Sequence, residues 1–207
     1  MMKRTAVYIH GKGGNAAEAD HYRQLFPSWS VVGIDYKNSV PWKAGQEIKE
    51  AISKLKADSD KVILIADSIG AFFAMNANIG REISHAYFIS PIVDMEKLIT
   101  DTMGMACITE AELKEKGIIR TDFGEDLSWE YLCYVRENSL RWNVPTEILY
   151  GSEDCLTSFE TIKAFAQNHQ ANLTVLNGGE HWFHTETQMQ FLDKWITDCV
   201  MKEGDSL

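Results

Sequence analysis

The chain has 207 residues, of which 45% are hydrophobic and 24% are charged, and its 30 acidic and 20 basic side chains give a formal net charge of −10. A chain of this length can bury a sizeable core without metals or disulfides, and we expect one domain over residues 1–207. Because a basic surface marks nucleic-acid-binding proteins and segments that bind anionic membranes, this acidic chain is expected to take neither as its main partner.

Short apolar runs that end at turn residues alternate with longer segments of helical period. Helices are predicted around residues 48–55 and 159–166, and Thr185-x-x-Gln188 predicts a capping box that opens a last helix. The alternation is typical of a three-layer α/β/α sandwich with a mostly parallel sheet. The apolar runs predict six strands, at residues 5–10, 30–36, 61–66, 84–90, 146–150 and 172–176.

Residues 93–144 interrupt this alternation and are far longer than an ordinary crossover. Thr109-x-x-Glu112 predicts a capping box, and Ser128 is a candidate N-cap for a second helix. Residues 94–141 carry eleven acidic and six basic side chains, which is half of the excess negative charge of the chain. We expect this insertion to form a small helical cap.

Residues 62–74 predict a buried strand, then a tight turn at Ser68, then a helix. A nucleophilic serine on such a turn needs small residues two positions away on either side, and here these are Ala66 and Gly70. The helix dipole and the amides at the turn would favour a developing negative charge. The alternative is that Ser68 only caps the helix.

A serine nucleophile needs a base and an acid that orients the base. Asp154 and His181 each follow a predicted strand, and the carboxyl ends of parallel strands meet at one edge of a sheet. Asp154 is our candidate acid, with Asp94 as the substitute. Taken singly, Asp154 could cap a helix and His181 could be an ordinary loop residue.

With Ser68, Asp154 and His181 in this order, the chain resembles the α/β-hydrolase family over nearly its whole length. The segment His10-Gly-Lys-Gly-Gly14 is similar to the His-Gly oxyanion loop of that family. The resemblance implies that the backbone amides of Lys12 and Ile69 bind the oxyanion. Since the loop already begins at residue 10, the core resembles a hydrolase that lacks the first two strands.

Two rival motifs occur in the same segments. Gly11-x-Gly13-x-x-Ala16 fits a relaxed dinucleotide fingerprint, and Asp35 stands where a ribose-binding acid would be, which leaves a Rossmann protein as an alternative. His181 and His184 could suggest a metal site, but no third ligand follows at a recognisable spacing. We therefore predict that the protein has no metal or other cofactor.

Aromatic residues of the insertion could line a substrate pocket, or could simply pack the cap onto the sheet. The candidate pocket residues are Trp129, Tyr134 and Trp142.

The chain lacks the apolar core of a signal peptide and any run long enough to span a membrane. Its four cysteines contain no Cys-x-x-Cys pair, which favours a reduced compartment, and we interpret them as buried packing residues. We expect a cytoplasmic protein, and the sequence leaves its oligomeric state open.

Together, the motifs predict a serine hydrolase that cleaves a small carboxylic ester or thioester, of the class EC 3.1.1, through an acyl-enzyme. The acidic insertion favours a neutral or cationic small-molecule substrate. An aminopeptidase or amidase with the same triad is an alternative, as is a binding protein that uses a hydrolase scaffold without turnover.

Overall fold

The computed structural model describes residues 2–122, 124, 126–202 and 204, and its central element is a parallel sheet. Each of the six strands lies within two residues of its predicted bounds, so the predicted sheet is confirmed. The strands are β1 (Arg4–Ile9), β2 (Ser30–Ile34), β3 (Lys61–Asp67), β4 (His85–Ile89), β7 (Thr146–Gly151) and β8 (Asn172–Leu176), while β5 (Ile118–Arg120) and β6 (Asp126–Ser128) form a separate antiparallel pair. Across the sheet the order is β2-β1-β3-β4-β7-β8, and every neighbouring pair is parallel.

Helices follow most of these strands. They are α1 (Ala19–Arg23), α2 (Pro41–Ala57), α3 (Ser68–Asn76), α4 (Met95–Met105), α5 (Glu110–Lys116), α6 (Trp129–Glu137), α7 (Phe159–Asn168) and α8 (Glu186–Lys202), and a 3-10 helix (Ala16–Glu18) precedes α1. The Thr109 capping box opens α5 and Ser128 caps α6, as predicted. At the start of α8, Gln188 N donates to Thr185 Oγ1 at 3.3 Å.

The central strands are buried on both faces, which explains their continuous apolar runs. Successive side chains of a strand point to opposite faces, so Tyr8 and Ile65 lie on one face, where they pack with residues of α1 and α8. The next residues along, Ile9 and Ala66, are turned to the opposite face and are fully buried. Helices α2 and α3 contact each other and β3. The fold is thus the expected sheet with helices on both sides.

The chain divides into two compact units, one formed by Met1–Val93 with Arg141–Leu207 and the other by Asp94–Leu140. Arg136 on α6 ties the second unit together, because its guanidinium donates to Glu96 on α4 and to Glu110 on α5. Besides the helices expected in this insertion, the unit contains the β5–β6 hairpin, which the sequence did not predict. Three-residue strands are too short to show the alternation that predicts a strand.

None of the helices in the described part of the chain has the length and hydrophobicity of a membrane span. The four cysteines are free. Their interpretation as buried packing residues is wrong for Cys107 and Cys155, which are exposed, whereas Cys199 is buried.

Candidate active site

Three residues singled out in the sequence follow strands of the same sheet at its carboxyl edge. Ser68 comes directly after β3, Asp154 follows β7, and His181 follows β8. Since all of these strands are parallel, their carboxyl ends share one edge of the sheet. The structure brings the three side chains into contact there.

The turn at Ser68 is tight and strained. Ser68 has a φ of +49°, in the left-handed region that a residue with a β-carbon rarely adopts. The neighbouring loop passes so close that a β-carbon on Gly70 would lie 2.4 Å from the carbonyl oxygen of His10. A β-carbon on Gly11 would lie 3.3 Å from that of Ser68. Glycine is therefore required at position 70 because of the packing of the loop after β1.

The imidazole of His181 bridges the other two side chains. Its Nε2 lies 2.8 Å from Ser68 Oγ, and its Nδ1 lies 2.7 Å from Asp154 Oδ2. A carboxylate can only accept, so Nδ1 carries the proton and donates it to Asp154, and Nε2 is left to accept from the hydroxyl of Ser68. The side chains of His181 and Asp154 are 1% and 0% exposed, respectively, which shields the hydrogen bond between them from water.

Asp154 is held by its own loop. Its Oδ1 accepts hydrogen bonds from the backbone amides of Leu156 at 2.8 Å and Thr157 at 3.0 Å. With the contact from His181, three donors therefore stabilise the carboxylate.

The loop that carries Asp154 is hydrogen-bonded to the loop that carries His181. Glu153 N donates to Gly179 O at 2.8 Å, and Gly178 N donates to Ser152 Oγ at 2.8 Å. The backbones are so close that a β-carbon on Gly151 would lie 2.4 Å from the carbonyl oxygen of Gly179. These contacts fix the acid and the histidine relative to each other.

The alternative acids have other positions. Asp94 caps α4, where its Oδ1 accepts from Lys97 N at 2.9 Å. Glu153 is exposed beside Asp154. Among the described residues, no group of three or more histidine, cysteine or acidic side chains could hold a metal ion, and the exposed His184 lies 3.4 Å from Glu180.

The loop after β1 packs against the turn at Ser68. The ring of His10 stacks on Tyr36 with centroids 4.2 Å apart, and Tyr36 Oη donates to the carbonyl oxygen of His10 at 2.8 Å. His10 Nδ1 donates to Gly11 O at 2.8 Å, so this side chain is used within the loop. Lys12 lies exposed in the loop, and Ile69 is the second residue of α3.

The same loop does not favour the dinucleotide alternative. The side chain of Asn15 accepts from Ala17 N, and the carboxylate of Glu18 accepts from Asn15 N. The carboxylate of Glu18 thus occupies the position in which a pyrophosphate would need backbone amides as donors. Its negative charge would repel the pyrophosphate. Asp35, the candidate ribose ligand, pairs with Lys37 at 2.7 Å.

The aromatic candidates fall in different units of the chain. Trp142 is buried, and its indole donates to Thr146 Oγ1 at 2.8 Å, at the start of β7 and therefore at the edge of the sheet opposite to Ser68. Trp129 and Tyr134 belong to the second unit, where Trp129 accepts a cation–π contact from Lys114. Their role as pocket residues stays a prediction.

One group beside Ser68 escaped the sequence analysis. Tyr8 Oη lies 2.7 Å from Asp67 Oδ2 and also 2.7 Å from Glu18 Oε2. Burial, with a smaller contribution from the charge of Glu18, raises the pKa of Asp67 to about 7, against the opposing effect of the Tyr8 hydrogen bond. The one available signal was an acidic residue that ends an otherwise apolar strand.

No protein-family model matches the sequence, and no curated protein matches it. Solved structures do match along almost the whole chain.

A structure of Est1E from Butyrivibrio proteoclasticus with bound ferulic acid is 15% identical and has a TM-score of 0.78, covering 97% of this chain and 89% of that one. Alpha/beta hydrolase domain-containing protein 10 from mouse is 16% identical with a TM-score of 0.72, covering 96% and 90%. The butyrate-bound esterase Est2 from Thermogutta terrifontis is 15% identical with a TM-score of 0.64, covering 98% and 84%. At such identities the likeness concerns the fold alone.

Proposed function

This chain has the α/β-hydrolase fold, and we propose that it is a serine hydrolase that cleaves a small carboxylic ester. The observation that carries the proposal is the continuous hydrogen-bonded line from Ser68 through His181 to Asp154, with distances of 2.8 and 2.7 Å. A fold by itself does not define an activity, so the argument depends on this geometry.

In the first step, His181 Nε2 takes the proton from Ser68 Oγ as that oxygen attacks the carbonyl carbon of the ester. The carboxylate of Asp154 keeps the proton on Nδ1 and stabilises the imidazolium that forms. His181 then gives its new proton to the leaving alcohol, which leaves an acyl group on Ser68. In the second step His181 activates a water molecule, whose attack releases the acid and restores the serine.

The negative charge on the carbonyl oxygen needs two aimed donors, for which we propose the backbone amides of Ile69 and Lys12. Support for Ile69 comes from its position in the first turn of α3, where amides lack partners within the helix. Asp67, the residue before this helix, does not cap it, because its carboxyl is turned to Tyr8 instead. Support for Lys12 comes from the close packing of its loop against Ser68.

An ester is favoured as the substrate because one similar structure is named an esterase and has bound butyrate, and another, of Est1E, has bound ferulic acid. The net charge of −10 favours a neutral or cationic substrate over an anionic one.

A fluorophosphonate probe, which reacts only with an activated serine, tests the proposal. We expect covalent labelling of the wild type at Ser68, loss of labelling in Ser68→Ala, and unchanged labelling in Ser53→Ala, a control on the exposed surface of α2. A series of p-nitrophenyl esters of increasing acyl length, compared with aminoacyl amides, then defines the substrate. Absence of labelling in folded wild-type protein would contradict the proposal.

A further inference from the structure

Tyr8, Asp67 and Glu18 meet directly beside the proposed nucleophile. In the pairing of β1 with β3, Tyr8 is opposite Ile65, so Asp67, two residues further along β3, lies on the same face of the sheet. Glu18 reaches the same point from the 3-10 helix that follows the loop after β1. The phenolic oxygen of Tyr8 is 2.7 Å from a carboxyl oxygen of each acid.

This geometry requires one proton more than the phenol supplies. Burial raises the pKa of Tyr8 further above its ordinary value, so the phenol stays protonated and brings a single proton. That proton can be donated to one carboxylate only. At 2.7 Å the second oxygen would repel the phenolic oxygen unless another proton lay between them, so one of the two carboxyl groups is protonated.

The less exposed of the two carboxyl groups is the one that fits. Asp67 Oδ1 has essentially no exposed surface, and among the described residues it has no hydrogen-bond partner. Glu18, in contrast, is exposed, and its Oε1 accepts from Asn15 N at 3.1 Å. Since an isolated charge is costly to bury and water stabilises an exposed one, the proton belongs on Asp67.

We propose that Asp67 carries a proton in the active form of the site, that it donates this proton to Tyr8 while Tyr8 donates to Glu18, and that this relay keeps negative charge away from Ser68. In this relay Asp67 is a positioning residue. It acts on the proposed reaction through the charge and the geometry of the turn and not by touching the substrate.

The relay has two consequences for the site, both of which rest on the proposed function. An ionised Asp67 would oppose the negative charge that develops on the substrate oxygen beside Ser68. It would also compete with Glu18 for the single proton of Tyr8. Glu18 holds the loop that contains Lys12, since it accepts from Asn15 N and since a β-carbon on Gly14 would lie 2.7 Å from its Oε1. Loss of the Asp67 proton should therefore weaken the contacts of Glu18 that hold this loop.

Several other titratable groups lie around Asp67. The two histidines each face a second carboxylate, because His181 pairs with Asp154 and His21 on α1 pairs with Asp193 on α8. Burial raises the pKa of Tyr22 and of Tyr36, so neither loses its proton near neutral pH. A test of the relay therefore needs a signal that belongs to Asp67.

The first experiment is a pH titration by NMR of protein with ¹³C-labelled aspartate carboxyl groups, carried out in Ser68→Ala so that it does not depend on activity. We expect one resonance with a midpoint near 7 and expect that this resonance is missing when Asp67→Asn is added. The relay is wrong if every aspartate titrates below about pH 5, around the ordinary value.

The second experiment is the pH profile of kcat for a p-nitrophenyl ester. We expect the wild type to lose at least about tenfold between pH 7 and 9, and Asp67→Asn to lose less than about twofold over the same range. Tyr8→Phe should move the alkaline fall to higher pH, because the donor that stabilises the Asp67 carboxylate is gone. Glu18→Gln should move it to lower pH, because a neighbouring negative charge is removed.

Thr5→Val is the matched control. Thr5 is buried on the same strand as Tyr8, and its hydroxyl is hydrogen-bonded to Ser59 at the opposite edge of the sheet. The pH profile of kcat should therefore not change in this variant. If kcat of Asp67→Asn falls between pH 7 and 9 as much as kcat of the wild type does, the proposed role of Asp67 in the reaction is wrong. If wild-type protein shows no activity and no labelling, the proposed function has failed, and the NMR titration still decides whether the relay exists.

Discussion

His181 Nε2 lies 2.8 Å from Ser68 Oγ, although the two residues are 113 positions apart in the chain. The contact exists because β3 and β8 end at the same edge of one parallel sheet, with β4 and β7 between them. The site therefore depends on the pairing of four strands and on the loops at their ends.

Asp154→Asn should lower kcat for an ester by about 10³ to 10⁴-fold and leave KM within a few-fold, because the amide favours the wrong tautomer of His181. Steady-state kinetics measure both constants. Asp94→Asn and Glu153→Gln are matched controls, since Asp94 caps α4 and Glu153 is exposed. A large fall in kcat for Asp94→Asn, with Asp154→Asn near the wild type, would assign the acid to Asp94.

Asp67→Asn should change how stability depends on pH. Burial raises the pKa of Asp67 from 3.8 to about 7 in the folded protein, so between these values the folded state binds more protons than the unfolded state. The free energy of unfolding of the wild type therefore falls as pH rises through this window, by up to about 4 kcal/mol from this one group. The asparagine variant lacks this contribution.

Urea unfolding of both proteins from about pH 4 to pH 9 measures this difference. Relative to the wild type, the variant should gain stability steadily as pH rises and should gain no more above about pH 8. A constant offset between the two proteins would show that Asp67 is already ionised across the range.

Gly70→Ala should destabilise the fold by about 1 to 3 kcal/mol, because its β-carbon would lie 2.4 Å from the carbonyl oxygen of His10 and the loop must move. Denaturant unfolding and fluorophosphonate labelling should both report the displacement. Gly80→Ala is the control, since its β-carbon would make only an ordinary 3.5 Å contact with Val144. Equal stability of the two variants would mean that the loop after β1 is not tightly packed.

Substrate charge should affect kcat/KM through the net charge of −10. We expect a choline ester and a neutral ester of the same acid to be cleaved more efficiently than an anionic hemisuccinate. Raising the ionic strength should narrow the difference, because salt screens the interaction. A higher kcat/KM for the anionic ester at every salt concentration would contradict the predicted effect of the net charge.

Much of the fold could be predicted because buried parallel strands are continuous apolar runs between turn residues. The strand that ends at Asp67 is an example, since five fully buried apolar residues precede this acid. The elements that were missed are α1 with the 3-10 helix before it, α4 and the β5–β6 hairpin. Helix α1 has only five residues, too few for a helical period, and the strands of the hairpin have three residues each.

The serine, acid and histidine could be found because each is a chemically distinctive residue just after a strand. The link from Tyr8 to Asp67 and Glu18 could not. It depends on strand register, which places Tyr8 diagonally from Asp67, and on the path of a loop that brings back Glu18 ten residues later. Neither the spacing from Tyr8 to Asp67 nor the spacing from Tyr8 to Glu18 produces a periodic pattern in the sequence. Trp142 is a different case. It was chosen from the sequence as a candidate pocket residue, and in the structure its indole packs beside Thr146.

The hydrogen bonds between the two loops that carry Asp154 and His181 have a consequence for protein engineering. Because Glu153 donates to Gly179 and Gly178 donates to Ser152, we expect that lengthening either loop would displace the other. Grafts that aim to reshape substrate preference should therefore exchange residues 151–157 and 177–181 as one cassette. Insertions are better directed to other parts of the chain, where no such pairing joins the acid to the base.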